Sequence, residues 1–237
     1  MKKKRTIIIL IILFILITIT KYKQNEILTY LIGMEINNIE VEDKDGYYKN
    51  TSENEGLEPE YNVENIKEAR IEDYVANIGK FNNVKYDGRI SIPAIYLKLP
   101  IFEGINETHL LLGAAEQLPR DIITIGSPGN YILASHKMSN KKNLGFARIN
   151  RLKPGQLIYA TDENNLYIYK IYLSKTVKNN ETEYINEKPE DKSIITLYTC
   201  SKFGKNSDKV IVQGELTETK PLNQLSKEEK DIMFKKK

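Results

Sequence analysis

The sequence predicts an antiparallel β-barrel or β-sandwich that follows an N-terminal apolar segment. Short runs rich in β-branched and aromatic residues recur after about residue 80. Turn signals such as Pro154-Gly155 separate these runs, and only one short helix is predicted between them. The chain has 237 residues, a length that suits one domain with appendages.

The N-terminus combines a basic cluster with an uncharged apolar run. Residues 1–5 read M-K-K-K-R, and residues 6–20 carry no charge. A helix over 6–20 would span about 22 Å against a hydrocarbon core of about 30 Å, and flanking lysines can snorkel across the shortfall. We therefore expect a single-pass signal anchor in the cell membrane, with 1–5 in the cytoplasm and the remaining chain on the extracellular face. The alternative is a cleavable signal peptide, although no small-x-small cleavage site follows.

Residues 21–80 are predicted to form an acidic stalk that ends in a short helix. Between Glu35 and Asp73 there are thirteen acidic and four basic residues. This balance is typical of a solvated segment without a core of its own. The helix is expected to pack on the following domain. Its apolar face is predicted from the spacing of Ile66, Ala69, Val75 and Ile78.

The domain itself is placed at residues 81–219. Pro93 indicates a bulge or a sheet edge within the first strand region. A short helix is expected where Phe146, Ile149 and Leu152 recur every third residue. Residues 220–237 have mixed charge and are expected to form a frayed polar tail. The predicted strand regions are 88–101, 131–134, 157–161, 166–173, 194–200 and 209–216.

Composition limits the chemistry of the domain to a few side chains. A net charge of +3 is too weak to indicate a nucleic-acid partner. The single cysteine, Cys200, and the two histidines, His109 and His136, exclude a disulfide framework, zinc sites needing several Cys and His, and iron–sulfur clusters. Thiol or imidazole chemistry must therefore use these three residues.

Two of these residues directly follow apolar strands. Cys200 is the last residue of the strand region 194–200. The rigid strand precedes it and an open polar segment follows it, a setting that suits a nucleophile. His136 follows the run 131–134 and can supply the base that a thiol nucleophile needs. Lys209 begins the next strand and comes near Cys200 if the two strands pair. His109 has no comparable setting and is predicted to be structural.

The residues around Cys200 carry a family resemblance. Thr196-Leu197-Tyr198-Thr199-Cys200 matches the T-L-x-T-C signature of the sortases, membrane-anchored cysteine transpeptidases of Gram-positive bacteria. The chain is similar to class A members over about residues 87–216. This resemblance implies an all-β fold, a closed barrel of about eight strands with short helices. Further matching segments follow in family order at 99–104, 112–114, 130–136 and 209–216.

The same resemblance implies a mechanism. Cys200 is expected to attack the Thr–Gly bond of an LPxTG sorting signal, with His136 as general acid and base. An amine of lipid II or of a cell-wall peptide then accepts the acyl group, which anchors surface proteins. By resemblance, the signal is bound by Ala134, Thr196, Tyr198 and Thr199.

The sequence departs from the family pattern at two places. The third catalytic residue is arginine in the family and Lys209 here, which keeps the charge but loses the planar fork of donors. Ala115-Glu116 stands where class A members often have glycine and threonine, and it is expected to change a loop. Two alternatives stay open: a pilin-joining or narrow-substrate sortase of another subclass, and a catalytically weak β-barrel that acts as a binding module.

No cofactor is predicted. Some members of the family bind calcium between acidic loops, and carboxylates are suitable ligands. A solvated acidic loop is the preferred interpretation of the acidic cluster here, so no metal is expected. The cluster contains Glu181, Glu183, Glu187, Glu190 and Asp191.

Overall fold

A long helix begins the chain. Helix α1 runs over Lys2–Ile39, and its segment Lys4–Gln24, with mean hydropathy 2.2, is long and apolar enough to cross a membrane. These 21 residues span about 32 Å, so the shortfall expected from residues 6–20 disappears. The orientation of this segment stays a prediction. The computed structural model describes residues 2–42, 48–50, 57–61, 69–84, 88–138, 144–162, 164–181, 183–187, 189–202 and 207–235.

The second half of α1 packs against the folded domain. Leu28, Ile32 and Ile36 recur every fourth residue, lie on one helix face, and are buried in the main core. The region predicted as a solvated stalk therefore begins with a packed helix. Strand β1 (Glu40–Glu42) then pairs antiparallel with β2 (Tyr48–Asn50). The acidic segments 43–47, 51–56 and 62–68 lie outside the described residues.

The short helix expected near residue 70 is present, but its buried face differs from the predicted one. Helix α2 spans Ile71–Asn77 and continues into a 3-10 helix, Ile78–Asn83. The aromatic ring of Tyr74 packs 5.2 Å from that of Phe81, whereas Val75 and Ile78 are exposed. The predicted spacing fails because α2 starts only at Ile71. Ala69 precedes the helix, and Ile66 is outside the described residues.

Eight strands form a closed barrel, in the order β10-β8-β7-β3-β4-β5-β6-β9. This confirms the fold class of an all-β closed barrel with short helices. Seven of the strands coincide with the predicted apolar runs or extend them, with region 88–101 divided into two strands, whereas the strand at Ala114–Glu116 was not predicted. The strands are β3 (Gly88–Ile92), β4 (Leu97–Phe102), β5 (Ala114–Glu116), β6 (Gly129–Ala134), β7 (Leu157–Thr161), β8 (Asn165–Val177), β9 (Ser193–Cys200) and β10 (Lys209–Pro221).

The barrel is mixed, so the expectation of a wholly antiparallel sheet is wrong. Strands β4 and β5 are parallel, and so are β6 and β9. A tight turn cannot join parallel strands. Helix α3 (Glu107–Leu112) makes the crossover from β4 to β5. The chain between β6 and β9 contains β7, β8 and the short helix α4 (Glu183–Asn186).

Two connections differ from their predicted form. Pro93 begins a 3-10 turn, Pro93–Ile95, that separates β3 from β4, so the proline lies in a hairpin connection and not in a bulge. The helix predicted around Ile149 is a single 3-10 turn, Ile149–Arg151. The three apolar residues that predicted it are all buried, which explains their spacing.

The C-terminal segment folds onto the barrel, so the expectation of a frayed tail is wrong. Helix α5 covers Lys227–Phe234 and begins with a capping box between Ser226 and Glu229. Met233 and Phe234 are buried in a cluster with apolar residues of β8. Charged residues surround these two in the sequence, and the mixed charge concealed the apolar contact.

Candidate active site

Cys200 occupies the end of a buried strand and faces a lysine on the neighbouring strand. It is the last residue of β9 and is 5% exposed. Strand β10 pairs antiparallel with β9 so that Lys209 lies opposite Cys200. The Lys209 Nζ lies 3.4 Å from the Cys200 Sγ. The pairing expected across the connecting segment is therefore confirmed, and it places a cation beside the thiol.

His136 lies at the matching end of the other strand that pairs with β9. In the parallel ladder of β6 and β9, Ala134 lies opposite Tyr198. His136 and Cys200 each follow these partners by two residues, and alternation along a strand directs residues two apart to one face. The Thr199 hydroxyl donates to the Ser135 carbonyl oxygen at 2.7 Å, which ties the two strand ends together. The imidazole and the thiol thus belong to the same barrel end.

Helix α3 holds His136 from its other side. The His136 backbone N–H donates to the Leu110 carbonyl oxygen at 3.4 Å. One Glu107 carboxylate oxygen lies 2.8 Å from the imidazole Nε2. Nδ1 is buried and has no hydrogen-bond partner within the described residues. Sequence reasoning missed Glu107 because it lies 29 residues before His136, on another element.

A second lysine, which the sequence did not indicate, lies near the thiol. Lys137 directly follows His136 and is only 8% exposed. Burial lowers its pKa, while the negative charge of an ionised Cys200 acts in the opposite direction. The residue forms an isolated antiparallel bridge with Gly145. Lys137 therefore adds positive potential near Cys200.

The four residues expected to bind the signal do not share one face. Ala134 and Tyr198 belong to an apolar cluster on the face of β6 and β9 that also carries His136 and Cys200. Burial raises the pKa of Tyr198, and an ionised Cys200 raises it further. The remaining cluster members are Ile105, Leu110, Ala115, Ile132, Val177 and Ile211.

The two threonines are engaged in other contacts. The Thr196 hydroxyl lies on the same face as Cys200, donates to Asn130 Oδ1 at 2.6 Å, and accepts from Gln213 Nε2 at 3.1 Å. Thr199 alternates to the opposite face, where its hydroxyl makes the bond to Ser135. Both are buried, and in this structure their hydroxyls stabilise the strands.

Comparison with known proteins identifies the family. A sequence profile described as the sortase domain matches residues 90–217, more than half of the chain. The chain belongs to the sortase family. It is 28% identical to sortase A of Listeria monocytogenes over 94% of this chain and 95% of that protein. It is also 38% identical to sortase A of Bacillus anthracis, over 56% of this chain and 60% of that protein. These relatives place it in class A.

The fold comparison agrees with the sequence comparison. The crystal structure of sortase A from Listeria monocytogenes superposes with a TM-score of 0.56 and 33% sequence identity. It covers 64% of this chain and 99% of the Listeria chain. This sortase is therefore a transpeptidase of class A with an N-terminal apolar helix.

The other histidine of this sortase is a packing residue. His109 lies in α3 and is 2% exposed. Its ring stacks on Phe102 with centroids 4.9 Å apart, and its Nδ1 is 3.1 Å from the Gly104 carbonyl oxygen. These contacts fix α3, the helix that also carries Glu107. His109 thus supports the active site through the backbone.

Glu116, which departs from the family pattern, lies in a strand, whereas a change in a loop was expected. Glu116 ends β5, and its buried carboxylate accepts hydrogen bonds from Arg120 and Tyr131. Burial raises the pKa of Glu116, and the hydrogen bonds from Arg120 oppose the rise. Together with Thr161 these residues line a cavity of about 440 Å³. Tyr131 lies near the start of β6, so this cavity is remote from the thiol.

The acidic residues considered for calcium do not converge among the described part of the chain. No group of three or more potential metal ligands is present there. Glu187 instead accepts a hydrogen bond from Gln213 Nε2 at 3.2 Å. Glu183 is exposed at the first position of α4.

Proposed function

We propose that this sortase cleaves an LPxTG-type sorting signal between Thr and Gly and transfers the acyl group to an amine of a cell-wall precursor. The observation that carries the proposal is the convergence of Cys200, His136 and Lys209 at one end of three adjacent strands. A thiol, an imidazole and a cation are the groups that two-step acyl transfer through a thioester requires. The apolar face beside them supports binding of an apolar Leu-Pro segment.

In the first step the Cys200 thiolate attacks the carbonyl carbon of the signal's threonine. The new C–S bond forms while the Thr–Gly C–N bond breaks, and the His136 imidazolium gives its proton to the leaving glycine amine. Lys209, with its Nζ at 3.4 Å from the sulfur, stabilises the thiolate. The product is a thioester on Cys200 and a free glycine-containing peptide.

In the second step an amine resolves the thioester. Its nitrogen attacks the thioester carbonyl, neutral His136 takes the amine proton, and the C–S bond breaks to restore the thiolate. The acyl group ends in a new amide, so no external energy source is needed. We propose lipid II or a cell-wall stem peptide as the acceptor and LPxTG-bearing surface proteins as donors.

The location follows from the N-terminal helix. The lysines before the apolar segment favour a cytoplasmic N-terminus. The barrel then lies on the extracellular face, where surface proteins and wall precursors meet. Docking of Leu28 and Ile32 in the domain core supports a barrel held close to the membrane surface.

Mass spectrometry of the full chain in detergent micelles tests the proposal. Incubation with an LPxTG peptide should add the mass of the acyl portion to the protein, and an added amine should discharge it into a transfer product. The Cys200→Ala variant and a scrambled peptide should give no adduct. An unmodified wild-type protein whose thiol still reacts with iodoacetamide would contradict the proposal.

The binding-module alternative rests on Lys209 in place of arginine. It predicts that the wild-type protein binds the peptide without forming the adduct and that Lys209→Arg restores the reaction. Comparison of stem-peptide and lysine-bearing pilin peptides as acceptors separates the wall-anchoring function from a pilin-joining one. A clear preference for the pilin peptide would overturn the proposed acceptor.

A further inference from the structure

The contact between Glu107 and His136 joins a half-buried carboxylate to a buried imidazole. Glu107 is the first residue of α3, and its carboxylate lies 2.8 Å from the His136 Nε2. The His136 side chain is fully buried, and the Glu107 side chain is 18% exposed. The Leu110 carbonyl of the same helix accepts the His136 backbone N–H. Helix α3 therefore holds both the backbone and the ring of His136.

The chemistry of a carboxylate fixes the tautomer of the ring. An ionised carboxylate only accepts hydrogen bonds, so the nitrogen facing Glu107 carries the proton. In the neutral ring, the lone pair is then on Nδ1. That atom is buried and has no hydrogen-bond partner within the described residues. A buried nitrogen without a hydrogen-bond partner requires an explanation, and a catalytic role is one such explanation.

We propose that Glu107 is a positioning residue that holds Nε2–H of His136 and leaves Nδ1 as the nitrogen that exchanges protons in transpeptidation. This inference rests on the proposed function. Nδ1 accepts a proton from the thiol or the incoming amine and returns it to the leaving amine. In each case the carboxylate stabilises the imidazolium that forms, without exchanging a proton itself.

A purely structural role for Glu107 makes different predictions. An acidic residue in the first turn of a helix also interacts with the helix dipole. Loss of that interaction would lower stability and leave the tautomer and the turnover of the folded protein unchanged. The tests must therefore measure which nitrogen of the His136 ring carries the proton, and the turnover, as well as the stability.

NMR spectra of the full chain in detergent, selectively labelled with ¹⁵N-histidine, show directly which nitrogen of the His136 ring carries the proton. The protein has only two histidines, and the His136→Ala variant assigns their signals. We expect neutral His136 to show a protonated Nε2 and a proton-free Nδ1. In Glu107→Ala the Nδ1–H tautomer should appear. A wild-type spectrum with Nδ1–H as the main tautomer would overturn the proposal, whether or not the protein cleaves a peptide.

The Glu107→Gln variant tests the charge. Its amide keeps the size of the side chain but cannot stabilise an imidazolium as a carboxylate does. We expect kcat for LPxTG transpeptidation to fall by roughly ten- to a hundredfold, with KM little changed. Glu229→Gln is the matched control, because the Glu229 side chain in α5 is 13% exposed and ion-paired at 2.6 Å to Lys220 of β10.

The two variants separate the outcomes. The control should lose stability and keep the wild-type kcat and ring spectrum. An unchanged kcat in Glu107→Gln would refute the positioning role. If the wild-type protein transfers no acyl group, the proposed function fails, and the ring spectrum alone then decides the role of Glu107.

Discussion

Replacing Gly145 with alanine tests whether the backbone of His136 must stay in its present position. Gly145 has a φ of +52°, and a Cβ there would lie 2.3 Å from the His136 carbonyl oxygen. The same oxygen accepts the Phe146 backbone N–H at 3.1 Å. An alanine can therefore fit only if the backbone of residue 145 or of His136 shifts, and the proposed proton transfer depends on the position of His136.

The expected cost has two parts. A left-handed backbone costs an L-residue about 1–2 kcal/mol, and loss of the hydrogen bond to the His136 oxygen costs about 1 kcal/mol more. A destabilisation of about 2–3 kcal/mol lowers Tm by roughly 4–12 °C in a domain of this size. A displacement of about 1 Å at His136 can lower kcat roughly a hundredfold.

Gly155→Ala provides the matched control. Gly155 also has a positive φ, +91°, but its added Cβ would meet no atom within 4 Å. The stability of this variant should fall only by the cost of the left-handed backbone, about 1–2 kcal/mol, and its kcat should be retained. Thermal unfolding by circular dichroism and the peptide transfer assay measure both quantities. Equal losses in the two variants, or full kcat in Gly145→Ala, would refute the reasoning.

Substitutions at three further residues have defined outcomes. Lys209→Met removes the cation beside Cys200 and should lower kcat/KM roughly ten- to a hundredfold in the transfer assay, whereas Lys209→Arg should retain at least wild-type turnover. The hydrogen bond from Lys220 lowers the pKa of Glu229. The stabilisation by ionised Glu229 is therefore present above its unfolded pKa of about 4.3, and it is lost as the pH falls through its lower folded pKa. The Tm difference between wild type and Glu229→Gln should therefore be constant near neutral pH and shrink below about pH 4, and a pH-independent difference would contradict this. Phe234→Ala should cost about 3 kcal/mol and make α5 sensitive to protease, and unchanged Tm would show that α5 does not stabilise the barrel.

The barrel could be predicted from the sequence because its signal is local. Alternating or continuous apolar runs between turn residues define strands, and the pentapeptide ending at Cys200 indicates the family. Strand partners are not encoded locally, which is why the parallel pairing of β6 and β9 was missed. An apolar run specifies burial, but the connections along the chain decide which strand lies beside it.

The supporting residues of the site could not be predicted for a related reason. Glu107 and Lys137 resemble ordinary charged residues until the fold places them beside His136 and Cys200. In the same way, Met233 and Phe234 are two apolar residues in a charged segment, and only the surface of β8 explains their burial. Chemistry at a reactive residue is visible in sequence, whereas its environment depends on distant segments.

Strand β9 has a consequence for how activity arises during folding. It is the strand that closes the barrel, with β6 on one side and β10 on the other. The first pairing brings Cys200 to the same barrel end as His136, and the second places it opposite Lys209. The chain between His136 and Cys200 includes two complete strands, so loop closure makes this pairing costly in entropy. A partly folded chain therefore carries the Cys200 thiol without His136 or Lys209 beside it, and the proposed reactive centre forms only in molecules whose barrel has closed.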